Sequence, residues 1–240
     1  MKILKDQNQE IAALEGYIRR AADGGRRLSI LEAGCGREWL FNMRGVDFEL
    51  TGVDMDAAAM EARKAHSRDL HHAIVGDIVT ASLPEAKFDI VYCSYVLEHV
   101  EEARRAMENF VRWVRPGGWI LLRVPDRDGA QGFLARHTPF WFHVLHYKLV
   151  LGQPNAGKPG FAPYPTYYDP VVSRAGVRDF CAQHGLELAE EIGHRMYDDY
   201  SSNPVIRACV KAAVGLTGAL SLGRIQSDFA DLTFVLRKPA

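Results

Sequence analysis

The chain predicts an α/β fold, doubly wound around a mostly parallel sheet, from three observations. Short apolar runs alternate with helical stretches from residue 28 to about residue 125, the pattern of repeated strand–helix–strand units. The first run, Leu28 to Ala33, stops at glycine, as a strand covered on both faces does. The second ends in Asp54, 20 residues beyond Gly34, the distance at which an acid meets a ribose diol in nucleotide-binding α/β units.

Residues 7–22 place Ile11, Leu14, Ile18 and Ala21 at helical spacing, with Glu10, Glu15, Arg19 and Arg20 assigned to the wet face and Asp23-Gly24-Gly25 as the stop. After the first strand, Gly34 and Gly36 let the chain turn sharply and bring bare backbone against a ligand. A helix is expected to begin near Arg37 and carry Trp39, Leu40 and Met43, offering unpaired N–H groups to a polar or anionic ligand. A dinucleotide fingerprint would need glycine at position 39, which is Trp39. Glu32 before the turn suits a cationic amine better than a phosphate. Together with Asp54 it favours a nucleoside that bears an ammonium group.

Asp56 opens a strong helix and His71 to Gly76 returns to the sheet. Phe88 to Cys93 is the next strand, and it delivers Cys93, Ser94 and Tyr95 to the edge where ligands collect. Val100, Ala103, Met107, Phe110, Val111 and Val114 form an amphipathic helix, ended by Arg115-Pro116-Gly117-Gly118 before a strand from Trp119 to Val124.

From Asp126 to Val172 the alternation fails. This stretch holds 9 of the 24 aromatic residues and has no acid between Gly129 and Tyr168, so it reads as a lid over an apolar or ring-bearing substrate. Thr138 to Gly152 is expected to be a helix whose Phe140, Trp141 and His146 line that substrate. The extended segment from Gly160 adds Tyr164 and Tyr167. No acid or cysteine accompanies His137, His143 and His146, so no metal site is assigned. Ser173 caps a helix running to Gly185, followed by a strand from Leu186 to Ile192. A second insertion spans 193–227. Its segment 204–222 is apolar, has no acid, and carries Arg207 and Lys211 one turn apart, which suits docking on the lid or on a second subunit, or contact with a membrane surface. Phe229 to Arg237 is the last strand.

A net charge of -1 argues against a nucleic-acid backbone as the main partner. Cys35, Cys93, Cys181 and Cys209 are widely separated and read as reduced thiols. The amino terminus has no apolar run of signal-peptide length, and Ala212 to Leu222 is too short to span a bilayer. A cytoplasmic protein is expected.

The order of motifs resembles that of class I S-adenosylmethionine-dependent methyltransferases of the type 11-like kind. Glu32-Ala33-Gly34-Cys35-Gly36 is similar to their first motif, Gly52-Val53-Asp54-Met55-Asp56 to the second, and Gly76-Asp77-Ile78 to the acidic adenine-side motif. Phe88 to Val100 and Arg115 to Leu122 resemble the next two. One departure is Glu38, which stands where the family carries a third glycine. The resemblance implies a Rossmann-like sheet of seven strands, with the last strand antiparallel, built from a leading helix (1–27), a cofactor core (28–125), the lid (126–172) and a C-terminal part (173–240). It implies S-adenosylmethionine as cofactor, held by Glu32, Gly34, Cys35, Gly36, Asp54, Met55, Asp77, Ile78, Cys93 and Ser94. Tyr17 on the leading helix and Tyr95 join the lid as substrate residues.

Methyl transfer needs a base only when the acceptor loses a proton. His99 is the first candidate, ahead of His137 and His143, with Glu98 and Tyr95 behind them. No Asn-Pro-Pro-Tyr follows the fourth strand, so a small-molecule acceptor is expected, with its hydroxyl on a lipid-linked, sugar or secondary-metabolite scaffold. Another transferase on the same fold, or a scaffold that binds the cofactor without turnover, are the alternatives.

Overall fold

A computed structural model describes residues 1–149, 151–158, 161–195 and 203–240. In chain order its elements are β1 (Lys2–Leu4), α1 (Gln7–Ala21), β2 (Leu28–Ala33), β3 (Phe48–Asp54), α2 (Ala57–His66), β4 (His72–Val75) and β5 (Phe88–Ser94). They continue with α3 (Ala103–Trp113), β6 (Val114–Pro125), α4 (Ala130–His137), α5 (Phe140–Leu149), α6 (Arg174–His184), β7 (Glu187–His194), α7 (Pro204–Leu220) and β8 (Asp231–Arg237).

The strands form one sheet in the order β1-β7-β8-β6-β5-β2-β3-β4. All pairs are parallel except those of β8, which runs antiparallel to β6 and β7 as expected. Eight strands replace the expected seven, because Lys2–Leu4 adds an edge beside β7. Strand order reverses between β2 and β5. A crevice for ligands therefore opens outside the carboxyl ends of those strands.

Side chains alternate across the sheet and make two cores. Leu31, Ala33, Val91 and Cys93 face α3 and α6, packing with Phe110, Trp113 and Phe180. Leu28, Ile30, Ile90 and Tyr92 face the other way, with Leu14 and Ile18 of α1 and with Phe41. Asp6 and Asp56 cap α1 and α2 by accepting backbone N–H bonds at 2.9 Å, and Ser173 does the same for α6.

Three expectations need correction. The helix expected from Arg37 is absent, and residues 37–47 cross the sheet as irregular chain. Its backbone is satisfied by α1 instead: Glu15 accepts the Asn42 N–H at 2.6 Å, and Arg19 donates to the carbonyls of Asn42 and Arg44 at 2.8 and 3.1 Å. Phe41 and Trp39 then pack edge-on against Tyr92. The lid is more helical than expected, since α4 precedes α5, and α5 ends at Leu149. Finally, Glu10 is not on the wet face; it is fully buried and shares the inward stripe of Leu14 and Ile18. Positions 150, 159–160 and 196–202, which include Gly160 and part of the second expected insertion, lie outside the described residues.

Candidate functional site

The crevice begins at the turn after β2. Gly34 has φ +75°, and a Cβ there would stand 2.2 Å from a methyl of Val96, so only glycine fits. Gly36 also has positive φ (+51°), but a Cβ there would meet nothing within 4 Å. Backbone geometry selects this glycine, and bare peptide faces the crevice. The Gly36 and Asp56 N–H groups donate to the two carboxylate oxygens of Asp54 at 2.8 Å each. An ionised carboxylate accepts about four bonds, so Asp54, partly exposed at the end of β3, keeps capacity for a diol. Met55 beside it is 72% exposed. After β4, Asp77 folds its own turn by accepting the Val79 N–H at 2.8 Å. Asn109 of α3 holds that turn from below, donating to the carbonyls of Ile78 and Val79. Flexible glycine backbone, an acid at the next strand end and a second acid beyond it suit a nucleoside.

Glu32 does not stand open to a ligand. Its carboxylate lies 2.7 Å from Arg63, which is fully buried and also pairs with Asp69 at 2.9 Å and donates to the Cys35 carbonyl. Burial pushes the Glu32 carboxyl up to about 8, against the pull of Arg63. Burial likewise raises the Cys35 thiol to about 12. Glu32, Arg63 and Asp69 thus lock the turn from beneath. Arg63 escaped the sequence reading, although a lone base on the inward stripe of α2, beside Ala59 and Met60, was its signal.

On the other side of the crevice, β5 brings up Cys93, Ser94 and Tyr95. The Cys93 thiol is buried in the core and raised well above its ordinary value by burial. Tyr95 has φ +53°, a left-handed conformation that strains a bulky residue. Its N–H donates to the Arg123 carbonyl. The Arg123 guanidinium lies 4.9 Å from the Tyr95 ring, donates to Ser94 Oγ at 3.2 Å, and donates two parallel hydrogen bonds to the carboxylate of buried Glu10 at 2.7 and 3.1 Å. Thr233 of β8 donates to the same Glu10.

A single helical turn, Leu97–His99, follows Tyr95. His99 Nδ1 lies 2.7 Å from the Pro165 carbonyl. A carbonyl only accepts, so Nδ1 carries the proton and Nε2 is the basic nitrogen of the neutral ring. Burial lowers its pKa. Its ring meets Tyr164 edge-on at 5.8 Å. Glu98 is buried, with its carboxyl pushed up to about 8 by desolvation, and its own carbonyl takes the Tyr167 N–H at 2.8 Å. The lid is therefore pinned to the strand end at Glu98 and His99.

The other lid histidines are tied to their own helices. His137 stacks on Phe133 at 4.1 Å and bonds its carbonyl. His143 Nε2 sits 3.0 Å from Thr138 Oγ1. His146 lies on α5, where burial and then His143 lower its pKa. Phe140 and Trp141 face outward, 46% and 65% exposed, as do Tyr164 and Tyr167. Tyr17 is also displaced from the expected place. Its hydroxyl bonds Glu190 at 2.8 Å and its ring packs on Trp119, which pairs with Ile90 near the start of β5, so Tyr17 lies away from the carboxyl ends where the crevice opens. α7 docks on the lid: Val210 and Val214 pack with Ala130 of α4. Among the described residues no helix is long and apolar enough to cross a membrane.

Comparisons with known proteins bear on the family and the fold. A ubiquinone biosynthesis O-methyltransferase of Alkalilimnicola ehrlichii is 30% identical over 117 residues, 47% of this chain and 47% of that protein. One from Aromatoleum aromaticum is 28% identical over 187 residues, 75% of this chain and 72% of the relative. The chain thus spans about half the length of several curated relatives it matches. The fold is that of geranyl diphosphate C-methyltransferase from Streptomyces coelicolor, solved with S-adenosyl-L-homocysteine, at TM-score 0.61 and 12% identity over 95% of this chain and 80% of that one. Residues 6–155 match the model of a methyltransferase domain, and the chain belongs to that family.

Proposed function

We propose that this member of the methyltransferase domain family transfers the methyl group of S-adenosylmethionine to a hydroxyl of a small acceptor with an apolar, lipid-linked portion. The observation that carries the reading is the glycine turn facing Asp54 across the β2–β3 pair, set at the point where strand order reverses. The activity for which the relatives are named, O-methylation in ubiquinone biosynthesis, supports the acceptor class.

When bound, the cofactor supplies an already activated methyl group, so the protein's task is alignment and exclusion of water. Gly34 and Gly36 admit the nucleoside, Asp54 takes its diol, and the Asp77 turn borders the base, with Met55 and Ile78 flanking. Ser94 and the backbone of Cys93 border the methionine half. Tyr95, held in a strained backbone, and the lid segment pinned at Glu98 form the acceptor wall. The exposed apolar side chains of α5, Phe140, Trp141, Phe142 and Leu145, are the surface available to the acceptor's apolar portion.

Transfer of labelled methyl from S-adenosylmethionine to an alkylated catechol tests the reading. We expect the label in the monomethyl ether. Label recovered only on amines, or on no acceptor while the cofactor binds, overturns it in favour of an N-methyltransferase or a non-catalytic scaffold.

A further inference from the structure

His99 is not the only titratable side chain on the acceptor side. His194 ends β7 and Asp231 begins β8, directly opposite each other in the sheet. Both are 3% exposed. Their nearest atoms, His194 Nδ1 and Asp231 Oδ2, stand 3.8 Å apart, and His194 Nδ1 is 3.9 Å from Glu10 Oε2. These separations are beyond hydrogen-bond reach. Among the described residues, neither ring nitrogen of His194 nor Asp231 Oδ2 has a hydrogen-bond partner, and Glu98 Oε2 is in the same condition. A buried polar atom left unpaired costs about 1–3 kcal/mol. Four such atoms on one side of a crevice mark a place shaped for a polar group.

The direction of the pair follows from its neighbours. Burial and then Asp231 raise the Tyr95 phenol, and burial, Glu98 and Asp231 raise the Tyr168 phenol to about 12. Burial raises the Glu98 carboxyl, and Asp231 adds to the effect. The Asp231 charge is therefore felt by Tyr95 and Glu98 at the end of β5 and by Tyr168 of the lid, which lie along the acceptor wall. Behind it, Glu10 from α1 is held by Arg123 from β6 and Thr233 from β8.

We propose that Asp231, backed by His194, receives the acceptor's hydroxyl and takes its proton. The inference rests on the methyltransferase reading of the site and names the proton acceptor within it. The acceptor O–H bond breaks and the proton bonds to an Asp231 carboxylate oxygen. The oxygen keeps the electron pair and forms the new O–CH3 bond as the S–CH3 bond breaks, with that bond's electrons staying on sulfur. His194 is a positioning residue: its imidazole beside the carboxylate offsets the negative charges of Asp231 and Glu10. The groups facing the pair are Glu10, Arg123, Tyr95, Glu98 and Tyr168. This arrangement assigns His99, tied to the lid carbonyl of Pro165, to lid closure.

The test uses nitrocatechol, whose colour reports its ionisation, titrated against the full-length protein saturated with S-adenosylhomocysteine. Bound to the wild type, the probe is expected to become phenolate at least one pH unit below its value in solution. Asp231→Asn and His194→Gln should return the colour change to the solution value, with S-adenosylhomocysteine affinity within about twofold of wild type and melting temperature unchanged. An unshifted probe in the wild type, or a shift that survives in Asp231→Asn or in His194→Gln, overturns the proposal. So does absence of probe binding to the saturated protein. Failure to bind S-adenosylhomocysteine at all would instead remove the methyltransferase reading. If Asp231→Asn does not fold, His194→Gln alone decides by the same colour shift.

Discussion

Glu98 is a buried carboxyl with no cation among the groups that act on its charge. Desolvation raises its carboxyl from 4.5 to about 8, so the folded protein holds this proton more tightly than the unfolded chain. The stability contributed is fully present below the ordinary carboxylate pKa and is lost as pH rises through 8. Glu98→Gln mimics the protonated acid and should leave stability near that of wild type at pH 5. At pH 8.5 the variant should be more stable than wild type by on the order of 4 kcal/mol, as read by urea unfolding at both pH values. An equal difference at the two pH values would show that Glu98 ionises freely in the fold. Asp231, which adds to the raised Glu98 carboxyl, is coupled to it, so the difference between the two proteins reads Glu98 together with that coupling. Little of this was visible in the sequence, because a raised pKa is made by what covers a residue, and the lid that covers Glu98 comes from residues far along the chain.

Among the elements, α1 is the one whose attachment the sequence misread and the structure explains. Its apolar spacing fixed both the helix and its inner face, yet Glu10 lies on that same stripe and pairs with Arg123, a base within the apolar run Trp119 to Val124 of β6. Two charges at inward positions of two elements are the sequence trace of a buried ion pair; neither alone points to the other. Glu10→Gln should leave Arg123 buried without a counter-charge and cost on the order of 3–5 kcal/mol. Replacing both residues by methionine should recover much of that loss, since an apolar pair of similar volume often replaces a buried ion pair without penalty. Hydrogen exchange should show α1 amides released in Glu10→Gln while those of α3 stay protected; equal exchange in both helices would mean that the pair does not anchor α1. The missing helix after Gly36 belongs to the same scale. Helical spacing over Trp39, Leu40 and Met43 was too short to outweigh Gly45 at φ +77° and the side chains of α1 that take the loop's backbone groups.

For the whole molecule, the parallel core was legible because each of its strands ends in a residue type that the crevice needs: glycine after β2, Asp54 after β3, Asp77 after β4 and Ser94 after β5. Local spacing encodes that much. Strand β1, helix α4 of the lid and the pairing of His194 with Asp231 were not legible, since β1 meets β7 across most of the chain and His194 meets Asp231 only through the β7–β8 pairing, about which period and propensity carry no information. The order of strands brings all four endings to one edge, within the stretch 6–155 that matches a methyltransferase domain.

The central claim, that this edge binds S-adenosylmethionine, is tested most directly by calorimetric titration of the protein with S-adenosylhomocysteine, with NADH as control, in wild type and Asp54→Ala. The account predicts micromolar binding to wild type, none of NADH, and affinity about tenfold or more weaker in the variant, 1.4 kcal/mol or more. Equal affinity in the two proteins, or no binding in either, would contradict it.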